Sequence, residues 1–360
     1  MKIIIIVGTR PEIVKMAPII KELESQGRNY FILHTGQHYS YSLDKVFFEQ
    51  LELPPAKYNL EVGSGLAGEQ TAKILTGVEK VLQTEKADIV LAEGDTNSVV
   101  AGVLAAVKLH IKVGHVEAGL RSYDRSMPEE INRIVADHCA DFLFAPTPAA
   151  RKILMGEGIP EEKIFVTGNT IVDAIYQNLE IAKGRADALN TLGLKPQGYF
   201  LVTIHRQENV DNQARFISIL EGLNSVAAEF DLPVVYPIHP HSQKRIAEFN
   251  LQPQALRLVE PVDYFSFLQL ESSARLILTD SGGVQEEACI LSVPCVTLRD
   301  NTERPETLEV GSNLLAGVAP ERILEQTRVM LGRQNKWRNP FGDGTAGKRI
   351  VKIITGGKDG

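Results

Sequence analysis

Short apolar runs, each ending in a polar or glycine-bearing turn, recur along this chain and limit what it can fold into more than any other feature. A first series comprises "IIIIVGTR" (3–10), "DIVLAEGDT" (88–96), "VGHVEAG" (113–119), "FLFAPT" (142–147) and "IFVTGN" (164–169). A second comprises "YFLVTIHR" (199–206), "PVVYPIHP" (233–240), "LRLVEP" (256–261), "LILTDSGG" (276–283) and "PCVTLRD" (294–300). Runs that are apolar throughout, rather than at alternate residues, describe strands buried on both faces, and the helical stretches between them supply the cover. Two such series predict two doubly wound α/β domains built on parallel strands. The polar, turn-rich segment 181–198 separates them, with the first domain expected over 1–170 and the second over 171–346. A Gly-rich turn in "NPFGDGTAGKRIVKII" leads to a final amphipathic helix at about 347–360, expected to pack back on the first domain.

At 360 residues the chain accommodates two domains of ordinary size. Its 44% hydrophobic and 23% charged residues are the composition of a soluble globular protein and predict no membrane partner. A net charge of -7 without a basic block argues against a nucleic-acid groove, so local cations must meet any phosphate ligand. Cys139, Cys289 and Cys295 lack metal-site spacing and leave one thiol over in any disulfide scheme, which predicts a reducing cytoplasm. The opening "MKIIIIVG" is too short for a signal sequence or a membrane span and reads as a buried first strand.

In open parallel sheets, ligands sit beyond the carboxyl ends of the strands. Arg10, Asp95, Glu117, His205 and the segment from Asp280 to Gly283 all fall there. Two domains facing each other with those ends would enclose a central cleft, as in two-lobed nucleotide-sugar enzymes. In "GTRPEIVKMAP", Arg10 and Lys15 stand near a helix N-terminus, where cations are unfavourable unless an anion joins them. "EGDTNS" supplies Asp95, whose plain structural role would be to cap the following helix. "HVEAGLRS" sets Glu117 after a strand. "MPEEINRIVADHCA" puts Pro128 at a first helical position and Glu129 in the first turn, with Arg133 spaced for a salt bridge to Glu129. "TIHRQEN" places His205 beside Arg206 at the first strand end of the second domain. No H-x-x-x-H spacing marks a metal site and no G-x-G-x-x-G marks a nicotinamide site, so no cofactor is expected.

"LILTDSGGVQEEA" (276–288) asks for a ligand that wants amide donors and, one turn later, a carboxylate. A nucleoside diphosphate meets both demands. The amides and hydroxyl around Ser281, Gly282 and Gly283 suit phosphate at a helix N-terminus, and Glu287 suits ribose hydroxyls.

Taken together, "GTRPEIVKMAP", "GDTNS", "HVEAGLRS", "PEEINR", "HRQEN", "DSGGVQEEA" and "RDNTERPE" resemble the non-hydrolysing UDP-N-acetylglucosamine 2-epimerases in order, from Lys2 to about Ile354. The resemblance implies two Rossmann-like domains in a GT-B-like fold, a homodimer, no redox cofactor, and interconversion of UDP-GlcNAc and UDP-ManNAc for polysaccharide precursors. It marks Asp95, Glu117, Glu129 and His205 as the catalytic set. Arg10, Lys15, Arg133, Arg206, Ser281, Gly282, Gly283, Glu287 and Arg304 are marked as substrate contacts, with Val262 and Phe267 of "EPVDYFSF" around the uracil. Gln37 and His38 match a Gln-His pair that binds a second, regulatory UDP-GlcNAc in bacterial relatives.

Inverting C2 of such a sugar removes a hydrogen from a carbon with no adjacent carbonyl. Without a nicotinamide to oxidise C3, elimination is the route: UDP leaves C1 as the C2 proton is taken, a glycal forms, and UDP re-adds after protonation of the other face. Cations and N–H donors on the pyrophosphate and acid–base groups around C2 are what that path requires. A GT-B glycosyltransferase, a non-catalytic UDP-sugar sensor, a hydrolysing variant, and an epimerase of a UDP-diacetamido-uronic acid are the competing readings.

Overall fold

The computed structural model describes residues 1–37, 41–185 and 187–356, with the backbone alone for 41–44. The chain forms two compact units, Gln177–Pro340 and a first unit made of Met1–Tyr176 together with the residues from Phe341 onward.

The first unit holds a seven-stranded sheet. Its strands are β1 (Ile3–Val7), β2 (Tyr30–His34), β3 (Tyr58–Asn59), β4 (Ile89–Glu93), β5 (Lys112–Val116), β6 (Phe142–Ala145) and β7 (Ile164–Val166). They lie in the order β3-β2-β1-β4-β5-β6-β7, and every pair is parallel. The second unit holds a six-stranded parallel sheet in the order β10-β9-β8-β11-β12-β13. These strands are β8 (Phe200–Thr203), β9 (Val234–Pro237), β10 (Leu256–Val259), β11 (Leu276–Thr279), β12 (Cys295–Thr297) and β13 (Asn313–Leu315). The apolar runs explain this arrangement, because β1, β4 and β11 are buried at every position, as strands sandwiched between two helical layers must be.

Both sheets reverse their strand order once, between β1 and β4 in the first unit and between β8 and β11 in the second. At such a reversal the crossover helices diverge to opposite faces and leave a crevice beyond the carboxyl ends. The turns after β1, β4, β8 and β11 carry Gly8 to Arg10, Gly94 and Asp95, His205 and Arg206, and Asp280 to Gly283. The topology therefore sets the four motifs at the two switch points.

The units divide at 176/177 and 340/341, rather than at 170 and 346. The helix Thr170–Arg185 begins inside the first unit, burying Ile171, Val172, Ala174 and Ile175 there. Asn169 N–H donates to the Phe341 carbonyl at 2.7 Å, so the returning chain is anchored before the final helix starts. That helix, Ala346–Ile354, is fastened by Asp173, whose carboxylate accepts from the N–H groups of Ala346 (3.1 Å) and Gly347 (2.9 Å). Gly347 lies against Pro18, where a Cβ would come within 3.0 Å of backbone. β2, β3 and β13 fall outside the apolar runs read from the sequence.

Candidate functional site

In the first unit the turn after β1 is bare backbone against the start of the helix Asn97–Lys108: a Cβ on Gly8 would lie 2.0 Å from Ser98 Oγ. Any side chain at this position would displace that helix start, which accounts for the glycine. The helix Arg10–Ser25 is opened by a capping box in which the buried Glu12 accepts from the N–H groups of Gly8 and Thr9 and from the Thr96 hydroxyl. Glu12 thus ties the turn after β1 to the turn after β4, and burial pushes its carboxyl up to about 7 despite those donors. Arg10, the first residue of the helix, lays its guanidinium over the Phe47 ring at 4.8 Å from the centroid.

Lys15 sits between two carboxylates. Its ammonium lies 3.0 Å from Glu93, the last residue of β4, and is ion-paired with Glu117, which follows β5. Glu93 is buried, and burial lifts its carboxyl well above the ordinary range against the pull of Lys15, with the charge of Glu117 adding to the rise. Glu117 has φ +67°, left-handed backbone that a non-glycine residue adopts only under constraint, of a kind that clusters at functional sites.

Asp95 does not cap the helix after it, because the cap position belongs to Thr96. Asp95 instead pairs with Arg133, and burial raises its carboxyl while Arg133 opposes the rise. Arg133 also lies 3.3 Å from Glu130, which accepts from Ser122 and Tyr123 N–H as well. The i,i+4 bridge to Glu129 is therefore not the one that forms. Glu129 is exposed in the first turn of the helix Pro128–Cys139, and Glu130 is the buried, structural member of the pair.

His115 supports the same turn from below. Both of its ring nitrogens face acceptors, Asp137 Oδ1 at 2.7 Å and the Gly94 carbonyl at 2.8 Å, and Asp137 is also bridged by Arg121 at 2.7 Å. Gln37 is buried, with its Oε1 accepting from Ser98 N–H (2.9 Å) and Ser98 Oγ (2.6 Å), so it braces the helix Asn97–Lys108. His38 lies outside the described residues.

In the second unit Asp280, at the end of β11, organises the motif after β8. Its buried carboxylate accepts from the N–H groups of His205 (3.1 Å) and Arg206 (3.0 Å) and from Asn209 Nδ2 (3.1 Å), and His205 Nδ1 lies 3.3 Å away. Burial works against the charged form, but these donors hold the carboxyl below its usual range. His205 is left about half exposed, at 49%, with its Nδ1 toward Asp280. Ser281 caps the helix Gly282–Ile290, and Gly282 lets the Glu303 carboxylate approach closely, since a Cβ would meet its Oε1 at 2.6 Å and the side chain would have to shift. Gly283 has room where a Cβ would stand, so no side chain of its own screens this helix start.

Arg206 and Arg299 clamp Glu303 at 2.6 Å each, and they overcome burial to hold its carboxyl down at about 2. Arg299 also reaches Glu208 at 3.3 Å, and Arg304 lies 3.0 Å from the buried Glu286. Val262 and Phe267 are half-buried, packed on an apolar cluster that includes Leu270, Ile277 and Val284. The sequence reading places Asp280 at a strand end without giving it a partner, and it leaves out Glu12, Glu93, Arg299 and Glu303 as site-building residues. All five lie inside the quoted motifs or runs; Glu93, Asp280 and Arg299 carry the signal of a strand end, whereas Glu12 lies in a helix and Glu303 in a loop and neither carries it. Among the described residues no cluster of His, Cys, Asp and Glu is placed to hold a metal ion, and no helix is long and apolar enough to cross a membrane.

Residues 21–355 match the family described as UDP-N-acetylglucosamine 2-epimerase. A UDP-N-acetylglucosamine 2-epimerase from Methanocaldococcus jannaschii is 54% identical over 99% of this chain and 100% of its own length. The crystal structure of the M. jannaschii UDP-GlcNAc 2-epimerase in complex with UDP-GlcNAc and UDP is 54% identical, with TM-score 0.86 over 99% of this chain and 100% of that chain. A UDP-2,3-diacetamido-2,3-dideoxy-D-glucuronate 2-epimerase from Pseudomonas aeruginosa is 40% identical over 98% of this chain and 99% of its own length.

Proposed function

Since the chain belongs to the UDP-N-acetylglucosamine 2-epimerase family and has its GT-B-like fold, we propose that it inverts C2 of UDP-GlcNAc to give UDP-ManNAc, reversibly, through elimination and re-addition of UDP. The observation that carries the reading is the cluster at the ends of β1, β4 and β5, where Lys15 is held between Glu93 and Glu117 and Asp95 is held by Arg133. Carboxyls with burial-raised proton affinity beside fixed cations are what a proton exchange at a weakly acidic carbon needs.

In the forward direction a carboxylate of the set Asp95, Glu117 and Glu129 takes the C2 proton. The C2–H electrons become the C1=C2 double bond, and the C1–O bond breaks with its electrons leaving on UDP. A second carboxyl protonates the opposite face of C2, and a β-phosphate oxygen re-forms the bond to C1. Lys15 stands with these carboxylates, so the charge building on the departing diphosphate falls to Arg10, Arg206, Arg304, His205 and the amides of Ser281 to Gly283. Glu287 takes the ribose, and Val262 and Phe267 flank the uracil. Free thiols at Cys139, Cys289 and Cys295 support placement in the cytoplasm, and the family resemblance supports a homodimer. Gln37 and His38 are assigned to a regulatory UDP-GlcNAc on the same resemblance.

Proton NMR of the purified protein with UDP-GlcNAc alone in D2O tests this. UDP-ManNAc carrying deuterium at C2 is the expected product. Free UDP with free ManNAc would make the protein a hydrolase. An inert UDP-GlcNAc alongside turnover of the UDP-diacetamido-glucuronate would move it to the specificity of the Pseudomonas relative.

A further inference from the structure

Glu271 is a buried ionisable group that the reaction leaves unused. It lies near the end of the helix Tyr264–Ser273, is only 1% exposed, and both its carboxyl oxygens are buried with no N–H or O–H donor of the described residues reaching them. The titratable groups facing it are Tyr199, Tyr264, Cys295 and Glu287, none of which carries positive charge. An ionised carboxylate in that setting would be unsolvated, unpaired and beside a like charge.

We propose that Glu271 is a neutral carboxylic acid that donates its proton to the Glu287 carboxylate, so that the two groups share one proton and Glu287 is held rigid for the nucleotide. The inference rests on the reading of Glu287 as the ribose acceptor. Glu287 lies on the neighbouring helix Gly282–Ile290, is only half-buried as a residue, and its charge acts on Glu271. Of the two hydroxyls close to Glu271, Tyr199 donates to the Leu270 carbonyl at 2.5 Å and Tyr264 accepts from Asn178 Nδ2 at 3.3 Å. Burial, reinforced by the charge of Glu287, lifts the Glu271 carboxyl far above the ordinary range. One negative charge rather than two then stands beside a diphosphate ligand, which lowers the repulsion the ligand must meet. Glu271 acts through Glu287 and is a positioning residue.

The test uses the full-length protein and two variants. Glu271→Gln keeps the shape and an N–H donor toward Glu287 but has no proton to lose, whereas Glu271→Leu removes the donor. Wild type minus Glu271→Gln in D2O should show the infrared carbonyl stretch of a protonated carboxylic acid at neutral pH. UDP affinity by calorimetry should be nearly unchanged in Glu271→Gln and weakened on the order of tenfold in Glu271→Leu. That loss should vanish with 2′,3′-dideoxy-UDP, which lacks the hydroxyls that Glu287 is to receive. Absence of the acid band, or a Glu271→Gln variant that loses UDP as Glu271→Leu does, overturns the shared proton, and the Gln variant decides this even if the Leu variant fails to fold. A band that is present together with equal losses for UDP and dideoxy-UDP overturns the ribose role of Glu287 and leaves the proton pair standing.

Discussion

Glu117→Gln should suppress both epimerisation and deuterium exchange at C2 by on the order of 10² to 10⁴, the usual range for a group that moves a proton in the rate-determining step. The side chain projects from a residue at φ +67° and is ion-paired to Lys15, whose ammonium also pairs with Glu93. A glutamine there keeps the shape and loses the ability to carry a proton. UDP binding should survive, because apart from Arg10 the nucleotide contacts proposed above lie in the other unit. Asp95→Asn and Glu129→Gln belong in the same series, each read by exchange and turnover in D2O after UDP binding has been confirmed. If all three variants exchange at near wild-type rates, proton transfer lies elsewhere, and Asp95 and Glu117 are partners of Arg133 and Lys15 and nothing more.

Asp280→Ala should destabilise the fold by about 3 kcal/mol, because it strips several donors of a charged acceptor at once. The donors are His205 N–H, Arg206 N–H and Asn209 Nδ2, and the carboxylate that receives them is fully buried. The sign with pH follows from the direction of the shift. A carboxyl held below its unfolded value of about 3.9 adds stability above that pH and loses it as the pH falls through the folded value. The gap between wild type and variant in urea denaturation should therefore be full at pH 7 and shrink below about pH 4. Turnover should fall as well, since His205 and Arg206 lose the group that fixes their backbone. A gap under about 1 kcal/mol at neutral pH would show that Asp280 does not organise this turn.

The apolar runs disclosed the two parallel sheets because burial on both faces leaves a mark in composition that needs no neighbours to interpret. Tyr30–His34 carries the same mark and falls outside the runs read from the sequence, whereas Tyr58–Asn59 and Asn313–Leu315 are too short for any period to speak. Asp95 shows the limit of local reasoning. Sequence indicates that some polar residue caps the helix Asn97–Lys108, but a shift of one residue gives the cap to Thr96 and leaves Asp95 for Arg133. Glu129 and Glu130 pose the same problem, because adjacent helical positions point about 100° apart and packing chooses the one that is buried. Lys15 with Glu93 and Glu117, and Asp280 with His205, join residues far apart in sequence. No spacing rule reaches such pairs, and only the strand order brings them together.

The step on which the chemistry turns is cleavage of the C1–O bond with UDP retained. It can be followed directly with UDP-GlcNAc carrying ¹⁸O in the oxygen that bridges C1 to the β-phosphate. Once that bond breaks, the β-phosphate can rotate and offer any of its three equivalent oxygens to C1. Phosphorus NMR should therefore show the label moving from the bridge into non-bridging positions during turnover, in both UDP-GlcNAc and UDP-ManNAc. UDP-ManNAc that forms while all of its label stays in the bridge would contradict elimination and require a route that never breaks C1–O.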